Sequence, residues 1–108
     1  MINHNEFIDA IQEKLKVEII FFSKEDRQNL TRICAPLDYG PMRRNNQIIN
    51  QGRTKYHVWD FNSDEKPHPL ALAPEQILGL KVLDEKFDPA TIDPIILKYP
   101  FFIPRDWN

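Results

Sequence analysis

The sequence predicts a mainly β (α+β) domain, a small and strongly bent antiparallel barrel of five strands preceded by one helix. Two observations lead to this prediction. β-Branched and aromatic residues fall into five short runs that are separated by turn-forming residues. The first run of apolar residues, by contrast, recurs at helical spacing. A length of 108 residues fits one domain, so we divide it into helix 3–15, barrel 17–87 and C-terminal extension 88–108.

The helix is predicted because its start is marked and one of its faces is apolar. Asn3 can cap the first turn, Glu6 can complete a capping box, and Ile2 can pack on Phe7. An apolar stripe follows, formed by Phe7, Ile8, Ile11 and Leu15. A helix of this length is marginal alone, so we expect it to dock on the sheet.

The five strands are predicted at residues 17–22, 30–35, 55–61, 66–73 and 77–83. Pro36 is expected to end the second strand, which leaves residues 37–54 as a long loop. Asp88-Pro89 and Asp93-Pro94 each combine a capping side chain with a proline, which predicts short helical turns in the extension.

A four-residue loop, 62–65, is expected to join the third and fourth strands as a hairpin. This length places Trp59 opposite His68 and His57 opposite Leu70. Two histidines on one sheet face could bind a metal ion, but no third ligand stands at a recognisable spacing. We therefore favour aromatic packing there and predict neither a metal nor a cofactor.

Composition excludes some functions and favours a cytoplasmic, soluble protein. The net charge is −2 and the pI about 5.9, whereas a general nucleic-acid coat needs surplus cations. No secretory leader and no apolar run long enough for a membrane span is visible. Cys34 is the single cysteine, and a small core hydrophobe is favoured over a reactive or metal-binding thiol.

The long loop suggests an anion site. Four cationic side chains and no acidic one lie between Gly40 and Tyr56, and arginine forks suit phosphate or carboxylate. The alternative is a solvated loop that protects an edge strand from pairing. The hypothetical ligand-binding residues are these cations and nearby aromatic rings: Arg43, Arg44, Arg53, Lys55, Tyr39, Tyr56 and Trp59.

The end of the chain is strongly apolar and must be covered by something. It either packs on its own chain, which we favour, or contacts a partner, with a homodimer as the competing interpretation. The hypothetical interface residues are Tyr99, Phe101, Phe102, Ile103 and Trp107.

The segments RICAPL, GRTKYHVWDF and PLALAPEQILGLKVLDEKF, in this order, resemble the WYL domain over roughly residues 17–87. The resemblance implies an SH3-like, Sm-like barrel that senses nucleotide or nucleic-acid ligands, here as a diverged, stand-alone relative among small bacterial proteins. Tyr56 is kept from the family's namesake triplet. Ala71 and Gln76 stand where the family has arginines associated with ligand binding, so the charge here lies upstream, at Arg43 and Arg44.

Three functions follow from these observations. The first, which we favour, is a non-enzymatic regulatory module that binds an anionic small molecule, a nucleotide or a short single strand of nucleic acid. The second is a protein-interaction or oligomerisation module that uses the apolar tail or a strand edge. An enzyme is the least favoured, because no nucleophile and base stand at a recognisable spacing.

Overall fold

The computed structural model describes residues 3–44, 47–48, 53–61, 66–98 and 100–107, without the side chains of residues 43, 44, 47 and 48. Two helices lie within these ranges, α1 (His4–Glu13) and α2 (Pro94–Leu97). The strands that lie within them are β1 (Leu15–Ser23), β2 (Gln28–Pro41), β3 (Arg43–Arg44), β4 (Gln47–Ile48), β5 (Thr54–Asp60), β6 (His68–Leu72) and β7 (Ile77–Lys86).

Five of these strands form one antiparallel sheet in the order β6-β5-β2-β1-β7, whereas β3 and β4 pair with each other. They correspond to the five predicted strands, so the mainly β class with a preceding helix is confirmed. Within the described residues β6 and β7 are the two edges and do not pair, so the sheet is open.

The sheet must nevertheless curve, because β6 and β7 are joined by a very short connection. The five residue steps from Leu72 to Ile77 reach at most about 18 Å. The edges of a flat five-stranded sheet would be about 19 Å apart. A 3-10 turn at Pro74–Gln76 shortens the connection further, so the two edges must approach each other at this corner.

Helix α1 starts as predicted, with the Asn3 side chain accepting a hydrogen bond from the Glu6 amide at 3.2 Å. It ends earlier than predicted, because Lys14 adopts a left-handed conformation (φ 59°) and the chain turns directly into β1. Three side chains on its inner face, Phe7, Ala10 and Ile11, are fully buried. Ile2 lies outside the described residues, so its contact with Phe7 stays a prediction.

The expectation that Pro36 ends the second strand is wrong. β2 continues to Pro41, and residues 37–41 are therefore strand rather than loop. Pairing runs from Pro36 opposite Val58 to Asp38 opposite His57, so Leu37 is an extra residue in a β-bulge. A bulge accommodates a residue that has no amide hydrogen to donate.

The predicted register of the β5–β6 hairpin is also wrong, by one residue. Trp59 lies opposite Pro69 and His57 opposite Ala71, whereas His68 lies opposite Asp60. Seven residues, 61–67, thus separate the paired positions, and residues 62–65 lie outside the described part. Because neighbouring residues of a strand point to opposite faces, His68 is not on the face that carries His57 and Trp59.

The chain after β7 is held by caps and by burial. As predicted, Asp88 accepts a hydrogen bond from the Ala90 amide, and Asp93 accepts one from the Ile95 amide, each at 3.0 Å. Trp107 is buried, and its Nε1 donates to the Ile11 carbonyl at the end of α1 over 2.7 Å. The extension therefore packs on its own chain.

Candidate functional site

A cationic depression of about 800 Å³ lies at the corner where the curved sheet brings its edges together. Lys24, from the turn between β1 and β2, lines it together with Arg53, which directly precedes β5, and Lys55, near the start of β5. Lys24 and Arg53 are exposed, and Lys55 is half-buried. The other residues around this cationic depression are Thr54, Ala73, Pro74 and Glu75.

The described residues that line the cationic depression carry a net positive charge. None of Lys24, Arg53 and Lys55 forms an ion pair within the described part of the chain, and Glu75 is the single carboxylate among the described lining residues. Converging, unpaired cations create a positive potential that attracts anions. The structure thus brings two of the predicted cations together and adds Lys24. Sequence reasoning missed Lys24 because it is distant along the chain and its charged turn gave no other signal.

The two arginines predicted as the centre of the site are placed only by their backbone. Arg43 and Arg44 form β3, which pairs with Ile48 and Gln47 of β4. The region predicted as a continuous loop thus contains a short two-stranded ladder. The side chains of both arginines lie outside what the structure describes, so their part in an anion site stays a prediction.

The predicted aromatic rings lie in or against the core rather than around the cations. Tyr56 is 4% exposed and Trp59 is 6% exposed. The Tyr56 ring contacts Tyr39 at 4.6 Å between ring centres, and its hydroxyl lies 2.9 Å from Nδ1 of His4 on α1. Burial, with Tyr39 nearby, raises the pKa of Tyr56. Neither Tyr56 nor Trp59 therefore presents a ring face on which a base could stack.

The apolar tail divides into buried and exposed residues. Trp107 is buried, whereas Phe101 and Ile103 are half-buried and pack against the core. Phe102 is 38% exposed, although its ring covers Gly40 of β2. Tyr99 lies outside the described residues. The tail thus offers Phe102 as its most exposed aromatic side chain in the described range, and Trp107 is not available for an interface.

Asp38 fastens this tail to the sheet. Its carboxylate accepts hydrogen bonds from the Phe102 amide at 3.0 and 3.1 Å and from the Ile103 amide at 2.9 Å. Nη2 of Arg105 lies 3.5 Å from the same carboxylate. The strand prediction stopped before Asp38, so this role was not expected from the sequence.

Arg105 is a buried cation with incomplete hydrogen bonding. Its Nε and Nη2 donate to the Ile103 carbonyl at 3.1 Å, and its guanidinium packs over the rings of Phe101 and Trp107. Nη1 is buried and has no partner among the described residues. Burial lowers the pKa of Arg105 to about 10, although the carboxylate of Asp38 favours its charged form.

An apolar cavity of about 270 Å³ lies between the tail and the sheet. Asp38 of β2 and His57 of β5 face each other across the ladder and both line this cavity. Nε2 of His57 lies 2.9 Å from the Gly40 carbonyl. The apolar walls include Leu37, Met42, Leu70, Ala71, Ile96 and Phe101.

Cys34 lies in the core and is fully buried. Burial and the nearby Asp60 raise the pKa of its thiol, and Arg32 offsets this only in part. A buried thiol that keeps its proton is a poor nucleophile. Within the described residues no group of three or more His, Cys, Asp or Glu side chains is arranged to hold a metal ion. Neither described helix is long and apolar enough to cross a membrane.

Comparisons of the chain with protein-family models, curated proteins and solved structures find no match.

Proposed function

We propose that this protein binds a small anionic molecule, with phosphate as the recognised group, at the cationic depression. One observation carries the proposal: Lys24, Arg53 and Lys55 converge there without ion-pair partners in the described part of a protein whose net charge is −2. Cationic side chains that bond to phosphate oxygens form charge-assisted hydrogen bonds, which are stronger than neutral ones. The protein is a non-enzymatic binding module in this proposal.

The ligand in this proposal is a small molecule rather than a long nucleic acid. The net negative charge opposes general attraction to a polyanion. Tyr56 and Trp59 are buried, so base stacking on them does not contribute. A short single strand and a nucleotide remain comparison ligands, because both carry the same phosphate group.

For the fold, we propose a diverged barrel of the WYL type. It is supported by one helix followed by five antiparallel strands whose fourth and fifth members, β6 and β7, are the edges. These two strands would be neighbours in a closed five-stranded barrel. The two residues at the positions of the family's arginines make other contacts in this protein. Ala71 lines the apolar cavity, and Gln76 bonds to the Ala73 amide and the Phe22 carbonyl.

Use of the tail as a contact surface is the competing function. Phe102 and Ile95 are exposed and could serve it. It has less support than anion binding, because Trp107 is buried and the amides of Phe102 and Ile103 are occupied by Asp38.

Thermal unfolding in the presence of tripolyphosphate, ATP and an eight-residue oligothymidylate tests the proposal. A ligand that binds only the folded state raises the melting temperature by mass action. We expect tripolyphosphate and ATP to raise it, and we expect added salt to reduce the effect. No increase with any of the three at low ionic strength would refute anion binding. An increase with the oligonucleotide alone would favour a single strand instead.

A further inference from the structure

The apolar cavity is a second concave site, with a chemical character opposite to that of the cationic depression. Its volume is about 270 Å³, and its walls come from strands β2, β5 and β6 and from the C-terminal extension, at Ile96 of α2 and at Phe101. Apolar cavities of about 150 Å³ are large enough to bind benzene. The apolar cavity therefore has room for one aromatic ring with a short substituent.

The two polar side chains that line the apolar cavity, those of Asp38 and His57, offer hydrogen-bond acceptors. The Gly40 carbonyl can only accept, so Nε2 of His57 must donate to it over the observed 2.9 Å. In the neutral ring Nδ1 then carries no hydrogen and can only accept. Oδ1 of Asp38 receives both tail amides, whereas Oδ2 receives only the Phe102 amide. A ligand that matches these groups therefore needs a hydrogen-bond donor.

The charges beside the apolar cavity cancel. The carboxylate of Asp38 lies 3.5 Å from Nη2 of Arg105, and both side chains are almost completely buried. A cationic or anionic ligand would lose its hydration without meeting a net opposite charge, and that loss is costly in an apolar site. The surroundings therefore favour a neutral ligand.

We propose that the apolar cavity binds a small neutral aromatic molecule that carries one hydrogen-bond donor, with Nδ1 of His57 as the acceptor. The ring occupies the apolar walls, and the donor fixes its orientation. This site is separate from the cationic depression, so either one can exist without the other.

The test uses the full chain labelled with ¹³C in the methionine methyl groups. The sequence contains two methionines, and Met42 lines the apolar cavity, so one of two signals reports on it directly. The probes are p-cresol, toluene, which lacks the donor, and p-toluate, which is charged. We expect p-cresol to shift the Met42 signal saturably, toluene to bind about 3- to 10-fold more weakly, and p-toluate to cause no saturable shift.

Two variants locate the binding. Ala71→Leu fills part of the apolar cavity and should abolish the p-cresol shift, whereas Ala90→Leu, at an exposed position in the extension, should retain it. His57→Phe should reduce the affinity for p-cresol to that for toluene and leave toluene binding in place.

Three results would overturn the proposal. The first is no saturable shift of the Met42 signal by p-cresol in the wild-type protein, a measurement that needs no variant. The second is equal affinity for p-cresol and toluene, which would remove the acceptor role of His57. The third is an unchanged p-cresol shift in folded Ala71→Leu, which would place the ligand elsewhere.

Discussion

Oδ1 of Asp38 lies 3.5 Å from Nη2 of Arg105, in an ion pair whose two side chains are almost completely excluded from solvent. The two partners are not equivalent. Asp38 also accepts hydrogen bonds from the Phe102 and Ile103 amides, so its charge is compensated from several sides. Arg105 has a buried Nη1 without a partner among the described residues.

This asymmetry predicts unequal effects of removing either partner. Asp38→Ala leaves a buried cation and two tail amides unpaired, so we expect a loss of about 3–5 kcal/mol in the free energy of unfolding. Arg105→Met leaves the carboxylate with its amide donors and keeps an apolar stem between Phe101 and Trp107. We expect it to cost under about 2 kcal/mol, measured by urea unfolding. Equal losses for the two variants would contradict the assignment.

Close packing between Gly40 and Phe102 predicts that substitutions at these two positions have coupled effects on stability. A Cβ atom added to Gly40 would lie 2.8 Å from Cε2 of the Phe102 ring, so the ring must move. We expect Gly40→Ala to destabilise the protein by about 1–3 kcal/mol. In the Phe102→Ala background the same substitution should cost much less. A double-mutant cycle measures this, and additive effects would show that the ring does not cover Gly40.

The buried thiol of Cys34 predicts a pH dependence of stability. Burial raises its pKa in the folded protein, so on raising the pH the unfolded thiol loses its proton first. Unfolding then releases a proton, and the contribution of this thiol to the free energy of unfolding falls by about 1.4 kcal/mol per pH unit above about pH 8.5.

Cys34→Ala isolates this contribution, because other groups that titrate at alkaline pH are common to both proteins. We expect the free energy of unfolding of the wild type, minus that of the variant, to fall between pH 8 and 10 and to stay constant between pH 6 and 8. A constant difference across the whole range would mean that the folded thiol ionises normally.

Substitutions of Trp107 test how much the end of the chain contributes to the free energy of unfolding. Trp107→Phe keeps an aromatic ring beside Phe87 but removes the donor to the Ile11 carbonyl, so we expect a loss of about 0.5–1.5 kcal/mol. Trp107→Ala should cost about 3–5 kcal/mol. Ile95→Ala, at a position 62% exposed in the same extension, is the control and should change stability by less than about 0.5 kcal/mol. Equal values for Trp107→Ala and Ile95→Ala would place Trp107 outside the core.

Local features of the fold were predictable from the sequence because their causes are local. Asn3, Asp88 and Asp93 cap the turns that follow them, and each is recognisable from its neighbours alone. The five strands of the sheet were found from β-branched and aromatic runs. Pro36 was misread because a proline usually ends a strand, and only the pairing partner shows that a bulge accommodates it.

The candidate site was only partly predictable because it depends on how the sheet curves. Arg53 and Lys55 are close in sequence and were predicted together. Lys24 joins them through the approach of the sheet edges, which strand patterns do not report. The contact between Asp38 and Arg105 likewise depends on the path of the tail. The hairpin register failed because a loop length was assumed, and a one-residue change moves every side chain to the other face.

The affinity of tripolyphosphate for the wild type and for two charge-matched variants tests the central claim most directly. Arg53→Glu and Lys98→Glu change the net charge equally, but only Arg53 lines the cationic depression, whereas Lys98 is exposed beside α2. By isothermal titration at low salt we predict that Arg53→Glu weakens binding at least about 10-fold. Lys98→Glu should weaken it much less, because Lys98 does not line the cationic depression. Equal weakening by both variants would contradict a site at the cationic depression.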